Sequence, residues 1–258
     1  MRWSVVVPVK RVERAKTRLR DAVPGTDHAE LVLALAADTV GAVLAAAPVA
    51  RVVVVTDDAR AAAELGLLGA IVVPDLPDAG LNPALRHGAR VAARWSADGI
   101  AVVGSDRPAL RPADLAAALG EAAAHDRTVL PDAAGTGTAL LTARPGVALD
   151  PHFGPASATA HLRSGAIRLT GDWASLRHDT DTAADLGVAR RLGVGHRTAA
   201  VLAASPGGAG QQAPPGEPAQ QTSPGRPPHA ATSSHIAGAA YPGRPGHPTP
   251  PAPTAGDR

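Results

Sequence analysis

Four stretches of the chain stay apolar for the full length of a strand: WSVVVPV (3–9), ARVVVVT (50–56), AIVVPD (70–75) and GIAVVGSD (99–106). A strand with one wet face alternates apolar and polar residues. Uninterrupted runs suit strands covered on both faces, the arrangement of mostly parallel sheets. Between the runs lie DHAELVLALAADTVGAVLAAA (27–47), DDARAAAELG (57–66), NPALRHGARVAARW (82–95) and RPADLAAALGEAAAH (111–125), rich in strong helix formers. Several begin with Asp or Asn, whose side chains cap helix N-termini. Repeated strand–helix–strand order predicts an α/β fold, an open and mostly parallel (mixed) sheet flanked by helices with right-handed crossovers. After residue 126, TVLPD, GTALLTA and AIRLTG read as further strands and SATAHLRSG as a short helix. DTAADLGVARRLG (181–193) reads as a last helix with Asp181 near its start. No internal repeat is present. With aromatics at 2%, alanine, valine and leucine must fill the core.

The pattern stops near residue 204. From Ser205 onward the chain is Pro, Gly, Gln, Ser and Ala, and it holds about half of the 25 prolines. Such a segment offers too little apolar surface to offset the entropy of ordering. We therefore expect a folded domain over 1–204 and a disordered tail over 205–258. Taking the tail's three arginines and two acids from totals of 25 and 23 leaves 22 basic against 21 acidic residues in the domain. The pI of 9.6 thus reflects a small arginine excess, not a basic face, and gives no support to nucleic-acid or membrane binding. The chain has no cysteine, which excludes disulfides, thiolate catalysis and cysteine-ligated zinc. It also lacks an apolar run of about 18 residues and a signal-peptide pattern, so a cytoplasmic protein is expected.

In an open α/β sheet, ligands bind beyond the carboxyl ends of the strands. Lys10, Arg11, Arg14, Lys16, Arg18 and Arg20 follow the first run, and Lys10 and Lys16 are the only lysines in the chain. A basic loop in that position is placed to clamp phosphates, and a compact ammonium on a flexible stem suits a reacting one. The loop has no glycine, so it is neither a Walker A loop nor a dinucleotide turn. Asp106 follows the fourth run, and Asp179 and Asp181, two residues apart, would share a face in an extended segment. Magnesium needs one or two carboxylates plus substrate phosphates, so Asp106 with Asp179 would suffice. Gly135 to Thr138 combine a flexible backbone with hydroxyls. Gly154 and Ser157 precede a helix whose free N–H groups could take an anion. His87, His152 and His178 do not have metal-ligand spacing.

Taken in order, PVKRVERAKTRL, GLNPAL, GSDRPAL, GTGTALL, HFGPASATAHL and LRHDTDTAADL resemble the CofC/FbiD family of guanylyltransferases over roughly residues 3 to 195. That family transfers GMP from GTP to a small phosphorylated acid during coenzyme F-420 biosynthesis. The resemblance implies a nucleotidyltransferase fold of the GT-A and molybdopterin-guanylyltransferase type. It also implies that Lys10, Lys16 and Arg18 hold the GTP phosphates, with Asn82 near the nucleoside. By the same resemblance Asp106 and Asp179 hold Mg2+, and Thr138, Gly154 and Ser157 hold the acceptor. Lys10, Lys16 and Asp106 would be catalytic. Ala156 departs from relatives that carry an acid after FGP.

Bacterial members are associated with phosphoenolpyruvate, others with 2-phospho-L-lactate or 3-phospho-D-glycerate. The Ala- and Arg-rich, Lys-poor composition is that of a GC-rich bacterial genome, which favours phosphoenolpyruvate. A molybdenum-cofactor-type nucleotidyltransferase and a non-catalytic nucleotide-binding scaffold are the alternatives. The expected partners are GTP and the phospho-acid, in a monomer or homodimer.

Overall fold

A computed structural model describes residues 1–205 apart from Arg14, Asp21, Pro77 and residues 96–98; the segment expected to form a tail lies, past Ser205, outside the described residues. The strands are β1 (Trp3–Pro8), β2 (Val49–Val55), β3 (Ile71–Val73), β4 (Gly99–Val103), β5 (Arg127–Pro131), β6 (Thr138–Ala143) and β7 (Ile167–Arg168). They form one sheet in the order β3-β2-β1-β4-β6-β5-β7. β1 to β4 pair in parallel and β7 runs parallel to β5, while β6 is antiparallel to both β4 and β5. The sheet is therefore mixed, with one reversed strand inserted beside β4.

The long apolar runs have a direct explanation. Val5 and Val7 of β1, Val52 and Val54 of β2, and Ala101 and Val103 of β4 enter one core with α1 (His28–Ala45), α2 (Ala59–Leu67) and α4 (Pro112–Ala122). The intervening Val6, Val53, Val55 and Val102 enter a second core with α3 (Leu81–Ala92), so both faces of the central strands are covered. α3 lies so close that a Cβ at Gly88 would meet Val6 at 2.6 Å and Val55 at 2.7 Å. Asp27 and Asp58 cap α1 and α2 as their positions suggest, accepting from the N–H of Ala29 and Ala61.

Beyond β6 come α5 (Ser157–Arg163), α6 (Ala174–Arg177), α7 (Ala183–Leu192) and α8 (His196–Ala204). Residues 181–193 are not the last helix, because α8 follows. Nor does Asp181 cap α7: Thr182 and Asp185 close a reciprocal capping box. α8 lacks a local cap. Asp38, on α1 and 8% exposed, accepts from the N–H of Arg197 and Thr198 and satisfies two of its orphan donors. Leu19, Leu31, Leu35, Leu186 and Leu202 then bind α7, α8 and the β1–α1 loop to α1. Ser205 is packed as well, contacting the Thr26 hydroxyl and donating to the Val201 carbonyl at 3.0 Å. Among the described residues no helix is long and apolar enough to cross a membrane.

Candidate active site

A cleft of about 510 Å³ opens at the carboxyl ends of β1 and β4, and Lys10, Lys16, Arg18, Ser105, Asp106 and Asp181 are among its walls. The β1–α1 loop is fixed on both sides. Val9 donates to the Val55 carbonyl, Val12 to the Asp58 carboxylate, and the His28 ring meets the Ala15 carbonyl. Lys16 begins a 3-10 turn (Thr17–Leu19) with φ 53° and ψ 41°, a left-handed conformation uncommon outside glycine. This turn aims the ammonium across the cleft, where it donates to Asp106 Oδ2 at 2.5 Å and also to Asp181 Oδ1. Lys10 and Arg18 are exposed on the cleft wall. The two lysines thus occupy different electrostatic settings, one paired and one in solvent.

Asp106 is held from a second side by Arg107, a residue the sequence reading passed over. Its side chain is 3% exposed, its Nη1 donates to Asp106 Oδ1 at 2.6 Å, and its Nε donates to the Leu176 carbonyl. Gly104 makes room for this, since a Cβ there would collide with both the guanidinium and the carboxylate. The Asp106 carbonyl accepts from Thr180, which is buried, and this bond draws the flanking Asp179 and Asp181 toward the cluster. Burial opposes ionisation of Asp106, but Arg107 and Lys16 outweigh it and hold its pKa below the usual carboxylate value. Burial likewise works against the charge on Lys16, yet Asp106 and Asp181 keep its pKa raised. Asp179 goes the other way: burial pushes it up, and Asp106 and Asp181 add to the rise against Arg107 and Lys16. With three carboxylates, Asp106, Asp179 and Asp181, against the two cations Lys16 and Arg107, the cluster is short of positive charge.

The hydroxyl corner lies next along the sheet edge. The β4–β6 pairing ends at Val103 and Leu140, and Thr138, two residues before Leu140, is the first residue of β6. The β5–β6 turn that delivers Thr138 is tied by Asp132, which accepts from the N–H of Thr136 and Gly137. Thr138 Oγ1 lies 3.0 Å from Ser157 Oγ and 3.0 Å from Nδ1 of His161. His161 is fully buried, and its Nε2 accepts from the N–H of His152 at 2.8 Å. Two N–H groups expected to be free are not: Ser157 donates to Gly154 and Ala158 to Thr136. Gly154 is exposed with φ 141°.

Asn82 connects the two regions. Its Nδ2 donates to the Phe153 carbonyl at 2.9 Å and its Oδ1 accepts from the Phe153 N–H at 2.7 Å, while its neighbour Leu81 lines the cleft. One N–H and one lone pair of the amide expected near the nucleoside are thus engaged by the loop before α5. His161 also escaped the sequence reading, although its i+4 spacing from Ser157 on a short helix was a usable signal. A separate acidic group, Asp57, Asp75 and Asp78, sits beyond β2 and β3, with carboxylate oxygens within 4.8 Å of one another. It lies outside the walls of the cleft.

Known proteins share both the fold and the sequence. A nucleotidyl transferase from Methanothermobacter superposes with a TM-score of 0.51 at 21% identity, over 74% of this chain and 97% of that one. A proposed nucleotide-diphospho-sugar transferase from Desulfovibrio desulfuricans superposes with a TM-score of 0.60 at 20% identity, over 78% and 94%. In sequence, the phosphoenolpyruvate guanylyltransferase of Salinispora arenicola is 60% identical over 76% of this chain and 92% of its own length. The proteins of the same name from Geodermatophilus obscurus and Streptomyces coelicolor are 54% and 53% identical, over 80% and 79% of this chain and 97% of each relative. The model of the CofC-like guanylyl transferases matches residues 3–188, and the chain belongs to that family.

Proposed function

We propose that this chain acts in the cytoplasm in coenzyme F-420 biosynthesis, transferring GMP from GTP to phosphoenolpyruvate to give enolpyruvyl-2-diphospho-5'-guanosine and pyrophosphate. The observation that carries the reading is the Lys16–Asp106–Asp181 cluster, set in a cleft beside a corner of neutral hydroxyls. Relatives 53% to 60% identical that bear the name phosphoenolpyruvate guanylyltransferase support the choice of acceptor. An acceptor phosphate oxygen attacks the α-phosphorus of GTP. The bond from that phosphorus to the bridging oxygen breaks, and its electron pair leaves with pyrophosphate. A phosphate monoester is already largely ionised near neutral pH, so the step needs no strong base. This accords with a site in which no free histidine or thiol faces the cleft among the described residues.

The rate then comes from positioning and from offsetting crowded negative charge. Lys10, Lys16 and Arg18 contact the triphosphate, and Lys16 starts from a fixed direction because its turn is locked. Thr138, Ser157 and Gly154 hold the acceptor. Asp106 and Asp179 would hold a magnesium ion, with Asp181 close by. They are hard oxygen donors, Asp106 and Asp181 already draw in an ammonium, and burial together with the neighbouring Asp106 and Asp181 raises the pKa of Asp179, a rise that a cation would offset. When bound, magnesium supplies charge that stabilises the phosphate oxygens. Residues 206–258 are dispensable for turnover in this reading. Truncation after Ser205, which keeps its packed hydroxyl, should leave activity unchanged.

The test incubates the full chain with GTP, magnesium and, separately, phosphoenolpyruvate, 2-phospho-L-lactate or 3-phospho-D-glycerate. Pyrophosphate release is followed and the product is weighed by mass spectrometry. We expect the phosphoenolpyruvate adduct; a chain that releases no pyrophosphate with any of the three acids would end the proposal.

A further inference from the structure

Thr138 and Ser157 could hold an anion only if their protons point toward it, and a hydroxyl is free to turn either way. His161 removes that freedom. Its Nε2 faces a backbone N–H, the donor of His152 at 2.8 Å, and so must be the unprotonated nitrogen. The ring hydrogen of a neutral imidazole then sits on Nδ1, 3.0 Å from Thr138 Oγ1. Burial, with the nearby His152 and Arg127, pushes the pKa of His161 down to about 4, so the ring is neutral in ordinary buffers. Thr138 therefore accepts from His161 with one lone pair, and Ser157 Oγ, at 3.0 Å, can donate to the other. When Ser157 donates in this pair, both lone pairs of Thr138 are engaged and it has only a donor left for a ligand. Thr138 is partly exposed whereas Ser157 and His161 are buried, which makes Thr138 the group that meets a ligand.

We propose that His161 is a positioning residue for the acceptor: as the Nδ1–H tautomer it donates to Thr138 and turns the Thr138 proton toward an anionic oxygen. The corner is thereby set to accept a carboxylate or phosphate and to refuse a group that can only donate. The inference rests on the acceptor-binding reading of Thr138 and adds its polarity, which a packing role for His161 would not require.

The two conservative amides separate the ring's nitrogens. In His161→Asn the amide nitrogen takes the place of Nδ1 and can still donate to Thr138. In His161→Gln the amide oxygen takes the place of Nε2, so the His152 bond survives and the Thr138 donor is lost. We expect His161→Gln to raise the KM for phosphoenolpyruvate about tenfold, the scale of one hydrogen bond to a charged ligand. The KM for GTP should not move, and His161→Asn should stay within about threefold of the parent by the same reasoning. In a Thr138→Val background, His161→Gln should add nothing further to the acceptor KM, because its effect passes through Thr138. Equal damage from Asn and Gln, or an undiminished Gln effect without the Thr138 hydroxyl, would show a packing role and overturn the inference.

A measurement on the unaltered chain needs no variant to fold. The ring 15N shifts of His161 at neutral pH should report a protonated Nδ1 and a bare Nε2, and the opposite tautomer would overturn the proposal. These outcomes are distinct from failure of the function itself. A chain inactive with every acceptor defeats the guanylyltransferase reading, whereas an active chain with the wrong tautomer defeats this inference alone.

Discussion

At the carboxyl ends of β1 and β4 the side chains meet as full charges, whereas a few residues along the same sheet edge, around β6 and α5, they meet as neutral dipoles. In the first region Lys16, Asp106, Asp181 and Arg107 form one connected set of ion pairs, with Asp179 beside it. In the second, His161, Thr138 and Ser157 make directed hydrogen bonds and carry no net charge. Charge attracts an anion from any direction and tolerates loose geometry, but each group depends on its partners to remain ionised. Neutral hydrogen bonds are selective only if the hydrogens are placed. A nucleotidyltransferase that must hold a highly charged triphosphate and tell one small acid from another has a use for both.

The sharpest way to break the comparison is to remove the charge shared by the first region. Asp106→Asn leaves Arg107, only 3% exposed, and Lys16 facing a neutral amide. We expect kcat to fall by about 10² to 10³-fold, the range for losing one preorganised electrostatic group. Stability should drop by about 3 kcal/mol or more, because Arg107 loses its carboxylate while still buried. Steady-state kinetics and thermal unfolding measure the two, and a variant that keeps full turnover would remove Asp106 from the site. Within the same region, Lys16→Arg should cost about tenfold or more in kcat/KM for GTP. A broad guanidinium does not fit where a point charge bridges two carboxylates. Lys10→Arg, on the open wall, should cost about twofold by the same reasoning. Equal effects would mean that the two lysines are interchangeable charges.

The second region should answer to pH instead. His161 titrates near 4 in the folded chain against an ordinary 6.5, so folding favours its neutral form. That stabilisation is complete above pH 6.5. It is lost as pH falls through the window from 6.5 to about 4, where the unfolded chain takes up a proton that the folded chain refuses. The shift corresponds to about 3 kcal/mol at most. Urea unfolding of the parent and of His161→Asn at pH 7 and pH 4.5 isolates this contribution from the carboxylates. The parent should lose more stability on acidification, and equal losses would show that the ring is not held neutral.

Much of the fold was legible because it follows from local pattern. Continuous valine runs announced strands covered on both faces, and Asp27 and Asp58 announced the helices they cap. α8 was not legible, because its cap, Asp38, lies on α1 some 160 residues earlier in the chain. The reversed direction of β6 was likewise invisible, since an apolar run does not reveal which way it is read. At the site, the strand-end positions of Lys10, Lys16 and Asp106 were enough to single them out. Nothing in the sequence sets Arg107 apart from the chain's other arginines, yet its guanidinium is buried against Asp106. Asn82 was read through a resemblance that names no protein partner, and the bonds it makes are to a backbone segment 71 residues away. Long-range polar pairs of this kind leave no periodicity to find.

That Asn82 clamp also supplies the smallest stability effect and the finest test of how separate the two regions are. It grips both the N–H and the carbonyl of Phe153, as a strand partner would, one residue before Gly154 and next to the His152 N–H that His161 receives. Asn82→Ala deletes both bonds, and at about 1 kcal/mol each the loss should be about 2 kcal/mol. Asn82→Asp keeps the acceptor for Phe153 N–H but sets a carboxylate against the Phe153 carbonyl, so it should not restore the clamp. If the regions work independently, both variants raise the KM for phosphoenolpyruvate and leave the KM for GTP alone, because the loosened loop belongs to the hydroxyl corner. Should Asn82 instead serve the nucleotide, as its motif suggested, the GTP constant would move first. Leu81, its neighbour, lines the charged cleft. A joint rise in both constants would therefore mean that α3 transmits the state of one region to the other, and the two modes of anion binding would then be mechanically linked.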